Sequence, residues 1–356
     1  MSITDVIANH VELAPFTTLG LGGRARYFAT VTSVEQIIAC LDWAARHALP
    51  VHVLGGGSNT VFADGGFPGL VLHMGITGCH WENAKDRVLA HVQAGETWDA
   101  FVQAAVDRGL AGVECLSGIP GQVGASPIQN VGAYGQEICQ TLVQVSVLDR
   151  HTWRSSHIDA ADCGFAYRWS RFKGPDRDRF IILAGTFSLG CDGRPQVDSA
   201  ELARRLGAPS GTKTPPPGPE TLAWIRECVL DLRRSKSMVV DTRDPESRSA
   251  GSFFLNPVLD AAGLAALRSR CADPGAVPAF EVSGGFRVPA AWLVEHAGFQ
   301  RGYARDGVGV SARHALALVN RGGSTAALLC LADDIKAAVH RCFGVHLQRE
   351  PVVVTG

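Results

Sequence analysis

Two stretches of this chain are so rich in glycine that the backbone, rather than side chains, is positioned to do the recognition. Val51–Leu54 reads as a short apolar strand that runs straight into Gly55-Gly56-Gly57-Ser58-Asn59. Successive glycines after a strand can turn their N–H groups inward as a nest for an anion, and Ser58 and Asn59 add side-chain donors. A plain tight turn is the alternative. No lysine follows in the Walker position, so kinase or ATPase chemistry is not indicated. The second stretch, Gly118 to Gly135, holds five glycines and two prolines in eighteen residues, with few charges. It is long and apolar for an ordinary connection, and regular helix or strand is not expected in it. Small residues there let a flat cofactor lie against the backbone while N–H groups bond its polar edge. A third cluster, Gly20-Leu21-Gly22-Gly23-Arg24-Ala25, spells the dinucleotide fingerprint. That motif works only between a strand and a helix, whereas here Pro15 precedes it and a strand-like Tyr27–Val31 follows. It reads as a decoy.

The elements that must hold these loops are legible from periodicity. Ser33 begins a helix, with capping-box spacing to Gln36 and apolar Ile37, Ile38, Leu41, Ala44 and Ala45 at helical period. Thr97 is placed to cap a second helix over Trp98–Arg108, stopped by Gly109. Strands are expected at Leu70–Met74, Val88–Gln93, Leu142–Leu148 and Phe180–Phe187. Residues Gly207–Pro219 contain five prolines and three glycines and read as a surface connection. Beyond them come a helix over Leu222–Arg234 ending in a basic cluster, a helix over Pro289–His296, and a strand at Ala315–Asn320. A helix started by Ser324 and a terminal strand at Pro351–Thr355 complete the pattern. The mixture predicts an α+β fold.

Composition excludes several classes. The chain has 356 residues with 46% apolar and 19% charged, enough to build two or three packed domains. Lys plus Arg number 33 and Asp plus Glu 34, so no basic excess exists to draw a nucleic-acid backbone or an anionic membrane. No apolar stretch approaches the ~20 residues of a membrane span. The opening residues lack an apolar signal core, and a cytosolic location is expected. Ten cysteines stand far apart without a C-x-x-C pair, and the twelve histidines form no close ligand pair. Reduced cysteines and no metal are expected.

The glycine stretches Gly55–Asn59 and Gly118–Gly135 together resemble the FAD-dependent UDP-N-acetylenolpyruvoylglucosamine reductase family of bacterial peptidoglycan synthesis, in its branch with a Gly-Ser-Phe-Phe motif. The likeness continues in Phe165-Ala166-Tyr167-Arg168, in Gly251-Ser252-Phe253-Phe254-Leu255-Asn256-Pro257, and in Arg349-Glu350-Pro351, in family order from Thr17 to Val354. The resemblance implies a two-subdomain FAD-binding module of the vanillyl-alcohol-oxidase-like type plus a C-terminal α+β substrate domain. Its implied boundaries are 1–75 and 76–220 for the flavin subdomains, 221–348 for the substrate domain, and 349–356 for a strand returning to the active site.

Carried over residue by residue, the resemblance gives the FAD pyrophosphate to Leu54, Gly55, Gly56, Gly57, Ser58 and Asn59. The rest of the flavin would follow Gly118, Ile119, Gly121, Gly124, Ala125, Ser126, Gln129, Asn130 and Gly132. NADPH would be the hydride donor, and an enolpyruvyl UDP-sugar nucleotide the acceptor, with ping-pong kinetics. Arg168 resembles a family donor to the substrate carboxylate, Glu350 a second, protonated donor, and Ser252 the general acid at the carbanionic carbon. Arg233 and Lys236 in the basic cluster, with Tyr134, Tyr167 and Asn256, would hold the sugar nucleotide. One departure is the stretch Pro195–Ala203, which lacks the tyrosine that closes over the substrate in that branch. A monomer is expected. A flavin oxidase on the same scaffold, or a non-catalytic nucleotide-binding protein, remains open at this point.

Overall fold

A computed structural model describes residues 5–207 and 216–355. Most of the proline-rich connection, residues 208–215, and the first four residues lie outside that description. The chain forms two compact units, and neither is contiguous in sequence. The first unit comprises residues 1–11, 25–56 and 68–235, and the second residues 12–24, 57–67 and 236–356. Helices and sheets mix in both, as the α+β expectation requires.

In the first unit, a four-stranded sheet runs in the order Ala8–Glu12, Arg24–Val31, Phe67–Met74, Val51–Leu54, and the last two strands pair in parallel. Val51–Leu54 is the last strand in that order, so Gly55 follows from the edge of the sheet. Helix α1 (Val34–Arg46) covers it, its buried stripe being Ile37, Cys40, Leu41 and Ala44. Ser33 caps α1 by accepting the Gln36 N–H, as the spacing predicts, while Gln36 reaches back to the N–H of Thr32 rather than of Ser33. The fingerprint-like Gly20–Ala25 leads into the strand Arg24–Val31 and no helix, so it makes no dinucleotide site. Gly23 is instead needed for packing, since a Cβ there would lie 2.2 Å from the Asp64 carbonyl oxygen.

A five-stranded antiparallel sheet completes the first unit, in the order Ser155–Asp159, Leu142–Asp149, Phe180–Gly190, Arg87–Gln93, Cys79–Ala84. Helix α2 (Trp98–Asp107) packs on it through Trp98, Phe101 and Phe187, whose rings meet at 5.0–5.8 Å. A short α3 (Ala200–Arg205) and the longer α4 (Pro219–Ser235) share the cluster Cys115, Leu202, Leu206, Ile225, Cys228 and Val229.

The second unit is organised around the strands Ser249–Ser252, Ala317–Asn320, Val308–Val310 and Ala304–Arg305. Helices α5 (Ala261–Arg268), α6 (Ala290–His296) and α7 (Thr325–Phe343) bury its core. The terminal strand Val352–Val354 pairs in parallel with Thr60–Phe62, just past the first glycine loop. α7 starts at the same place: Ser324 caps the Ala327 N–H, and both carboxylate oxygens of Asp64 accept N–H groups, from Thr325 and Ala326.

Burial of the strand Val51–Leu54 has a measurable consequence. Desolvation pushes the imidazole of His52 down to about 4, with Asp178 opposing and Arg150 reinforcing the shift. Below the ordinary histidine range the unfolded chain takes up a proton that the folded chain refuses, so stability falls as pH drops from about 6.5 to about 4. Between about pH 7.5 and about pH 4.5 the wild type should lose about 2–3 kcal/mol more than His52→Gln in urea unfolding. Equal losses in the two proteins would show that His52 is not held neutral.

Candidate active site

The second glycine run has a shape because α2 holds it. The Trp98 N–H, the first donor of α2, bonds the Gly121 carbonyl at 3.0 Å, and the Trp98 indole N–H bonds the Leu116 carbonyl at 3.1 Å. Val123 and Gly124 donate to the carbonyls of Glu96 and Ala94, both at 2.9 Å. Thr97 stands at the cap position but its side chain makes no cap bond. The glycine run meets that helix end at a different donor, the Trp98 N–H. Within the run, Val123–Gln129 winds as a 3-10 helix through Pro127, and Gly132–Ala133 pairs with Gln136–Glu137. This is more order than the composition predicts. The i→i+3 turn tolerates Pro127 because few N–H groups need partners in so short a coil.

The two glycine loops of the sequence meet within the first unit. A Cβ on Gly56 would lie 2.7 Å from the Gly121 Cα, and one on Gly55 would lie 3.3 Å from Gln122 Oε1 and 3.6 Å from the Ala125 Cβ. Gln122 donates through Nε2 to the Met74 carbonyl at 3.0 Å. Its Oε1 is buried and has no hydrogen-bond partner among the described residues. An acceptor sealed in that position calls for a donor from a bound group. Gly118 and Gly121 both take positive φ, +71° and +113°, where other residues are strained.

Side chains in the run mostly hold its form. The Ser126 hydroxyl donates to the Val123 carbonyl at 2.8 Å. Asn130, buried at φ 47°, donates to Glu137 at 2.7 Å and to the Ala166 carbonyl at 3.2 Å, and accepts the Cys139 N–H. The bond to Ala166 ties the run to a tight hairpin, Ala166 to Trp169, whose corner residue Arg168 has φ 52°. Arg168 donates to the Gly132 carbonyl at 2.6 Å, and its guanidinium lies 5.4 Å from the Tyr167 ring centre. Arg168 thus sits on the flavin-type run, although it is far away in sequence.

α4 adds the basic end. The side chain of Arg233 is half-buried with Nε sealed from solvent; desolvation lowers its affinity for the proton, while Tyr134 and Asp99 oppose that shift. Burial raises the Tyr134 hydroxyl to about 12, against the field of Arg233, so it is a phenol at neutral pH. Arg234 faces outward onto Glu227 and Asp231. Deeper in α4, Arg226 grips Asp99 of α2 with two bonds of 2.6 and 2.9 Å and Gln103 with a third of 2.6 Å. Asp99 Oδ1 also accepts the Gly118 N–H at 2.6 Å. Burial alone would raise the Asp99 carboxyl, but the bonds from Arg226 and Gly118 hold it below the ordinary range. Sequence reasoning missed this pair. The available signal was a charged residue, Arg226, on the apolar stripe Leu222, Ile225 and Val229.

The second unit holds others of the residues that the resemblance singles out. Ser252 ends the strand that pairs with Ala317, after Gly251 at φ +70° and a register shift. Past it, the Glu350 N–H donates to the Phe253 carbonyl at 3.0 Å, Phe254 bridges Arg349, and Leu255 donates to the Gln348 carbonyl. Glu350 is therefore the backbone partner of Phe253, the residue after Ser252, from a distant part of the chain. Asn59 belongs to the same group. Its amide donates to the Glu350 carbonyl at 3.4 Å, and its own carbonyl accepts the Val352 N–H at 2.9 Å. Gly57, at φ +61°, would place a Cβ 1.9 Å from the Phe16 carbonyl oxygen, so only glycine fits. Asn256 accepts the Ala290 N–H at 2.9 Å and closes the start of α6, while Lys236 is half-buried at the opening of the last segment of this unit.

Residues 25–151 match the model of an FAD binding domain, which, with two apposed glycine loops, defines a flavin-binding protein. Residues 244–354 match the C-terminal domain of UDP-N-acetylenolpyruvoylglucosamine reductase. A protein of that name from Thermobifida fusca is 49% identical over 361 residues, covering 99% of both chains. Another, from Mycolicibacterium smegmatis, is 40% identical over 358 residues, covering 98% of this chain and 95% of the relative. The chain belongs to the UDP-N-acetylenolpyruvoylglucosamine reductase family. The fold agrees with the crystal structure of the Thermus caldophilus reductase at a TM-score of 0.64 and 23% identity, with 98% of each chain covered.

The apposed loops yield a direct test. Gly56→Ala forces the two backbones apart, and overpacking of this kind costs about 1–3 kcal/mol. The expected outcome is FAD bound about ten- to a hundredfold more weakly, read as flavin absorbance per protein after gel filtration. Full flavin occupancy in that variant would show that the contact between the loops does not shape the cradle.

Proposed function

We propose that this protein reduces the enolpyruvyl ether of UDP-N-acetylglucosamine enolpyruvate to the lactyl ether of UDP-N-acetylmuramate, with NADPH as hydride donor, in peptidoglycan precursor synthesis. The observation that carries this reading is family membership over essentially the whole chain, from the FAD-domain match to the C-terminal match. The residues present fit FAD. A glycine cradle that a Cβ would fill lies beside the buried acceptor of Gln122, and Ser58 and Asn59 add donors. Residues 54–59 would hold the pyrophosphate, and the run from Gly118 to Gly132 the remainder. When bound, FAD supplies the hydride relay between NADPH and the alkene, which no side chain can provide.

The chain's own groups then have defined tasks. Hydride addition at the terminal alkene carbon develops negative charge on the neighbouring carbon and the carboxylate, and that charge must be stabilised as it forms. Arg168, anchored to the Gly132 carbonyl, stabilises that charge through its guanidinium. Glu350, fixed through its backbone to Phe253, donates to the same group, and the Ser252 hydroxyl delivers a proton to the carbanionic carbon. Arg233 and Lys236 neutralise the diphosphate, with Tyr134, Tyr167 and Asn256 completing the sugar-nucleotide contacts. Residues 1–75 and 76–220 serve the flavin, 221–348 the substrate, and 349–356 return Glu350 to the site. The same proposal includes a cytoplasmic monomer acting in cell-shape maintenance and division. No helix among the described residues is long and apolar enough to cross a membrane.

The purified protein should be yellow, bleached by NADPH and restored without oxygen by the enolpyruvyl sugar nucleotide. Faster restoration by air than by that substrate would favour an oxidase instead. Ser252→Ala should keep flavin reduction by NADPH while slowing reoxidation by substrate about 10²–10⁴-fold, a general-acid loss of roughly 3–5 kcal/mol. Stopped-flow absorbance separates the two half-reactions, and unchanged reoxidation would remove Ser252 from the mechanism.

A further inference from the structure

The ion pair between buried Arg226 of α4 and half-buried Asp99 of α2 has a place in the molecule that stability alone does not explain. Arg226 is 5% exposed and makes three side-chain hydrogen bonds, two to Asp99 and one to Gln103. The same Asp99 oxygen that meets Arg226 also accepts the N–H of Gly118, the first residue of the long glycine run. Gly118 has φ +71°, so its peptide is set by this bond in a conformation that the rest of the run inherits. Two turns further along α4 lies Arg233, which shares an electrostatic field with Asp99 and with Tyr134. One rigid helix therefore carries a phosphate-type cation at its end and, from its middle, grips the carboxylate that orients the glycine run.

We propose that Asp99 and Arg226 are positioning residues that couple the diphosphate end of α4 to the peptide of Gly118, so that occupancy by a uridine diphosphate group is felt at the flavin. The proposal rests on the reading above, in which Arg233 contacts the diphosphate and Gly118 the flavin. The physical route is contiguous: helix α4, a bidentate guanidinium–carboxylate fork, and one backbone hydrogen bond. A ligand that draws Arg233 shifts α4, and the fork transmits that shift because a planar two-bond contact fixes direction as well as distance. Coupling between two binding sites is reciprocal, so flavin state must also alter affinity for the diphosphate.

The test uses the oxidised holoenzyme titrated with uridine diphosphate, following the visible flavin spectrum and, in parallel, the midpoint potential. In the wild type the nucleotide should perturb the flavin band and shift the potential. In Arg226→Lys and Asp99→Asn, affinity for uridine diphosphate should stay within about threefold while the flavin perturbation falls several-fold. With NADPH and the sugar nucleotide, kcat should drop about tenfold and KM should stay within about threefold, the mark of misplacement rather than lost binding. Gln103→Ala removes only the third contact of Arg226 and should give an intermediate loss of the flavin response. It tests the proposal even where the two charge variants fail to fold. A wild-type flavin perturbation that persists in the folded variants, with only their melting temperature lowered, would overturn it. Arg233→Gln separates the underlying reading. Undiminished uridine diphosphate binding in that variant would reject Arg233 as the phosphate contact, whereas weakened binding with a silent wild-type flavin would reject the coupling alone.

Discussion

Two backbones pass each other at Gly56 and Gly121 with no room for a methyl group between them, and the flavin-binding half of the protein is arranged around that passage. One loop arrives from the parallel strand Val51–Leu54 and the other is pinned to the first turn of α2 by the Trp98 N–H. The close approach excludes a Cβ on Gly56, and Gly121 takes a φ of 113° that favours glycine. Beside it lies the buried side-chain Oε1 of Gln122, which has no hydrogen-bond partner among the described residues, a cost that a donor from a bound group would offset. The glycine content is therefore a packing requirement as much as a conformational one.

The second unit solves a different problem, that of bringing a serine and a glutamate to one place from separated parts of the chain. It does so by backbone hydrogen bonding between the strand end after Ser252 and the terminal segment around Glu350. The segment after Glu350 is then held by pairing of Val352–Val354 with Thr60–Phe62. Most of those contacts are made by peptide groups, and the Asn59 side-chain amide adds its bond to the Glu350 carbonyl. If Ser252 is the proton donor proposed above, a backbone-built scaffold of this kind would serve to place it.

The Arg226–Asp99 fork shows the opposite choice, in which side chains do the scaffolding. Breaking the pair would strand the guanidinium of Arg226, its side chain 6% exposed, more than the carboxylate of Asp99, its side chain 34% exposed. Satisfying it fixes the angle between α2 and α4 and the peptide of Gly118 together. The apolar residues of the Pro195–Ala203 region and α3 add to the same contact. Val197 and Leu202 pack with Tyr134 against α4, and a Cβ on Gly135 would lie 2.8 Å from that of Asp198. That stretch, lacking a lid tyrosine, is built into the wall of the first unit.

Much of the local structure was legible from residue order alone. α1 with its Ser33 cap, the strand ahead of Gly55, the strands of the antiparallel sheet and the Ser324 start of α7 follow from periodicity and capping, which act over a few residues. So did the rejection of the Gly20 fingerprint, since a strand rather than a helix follows it. Family likeness, not spacing, singled out Arg168, Ser252 and Glu350, because nothing local distinguishes a reacting serine from a turn serine. What only the tertiary structure decided were contacts between distant segments: Gly56 against Gly121, Glu350 against Phe253, and Asp99 with Arg226 across 127 residues. The bond from the Trp98 N–H to the Gly121 carbonyl belongs with them. The physical reason is common to all four. Each is a pairing whose partner is selected by where packing brings two backbones, and neither sequence neighbourhood carries a trace of the other.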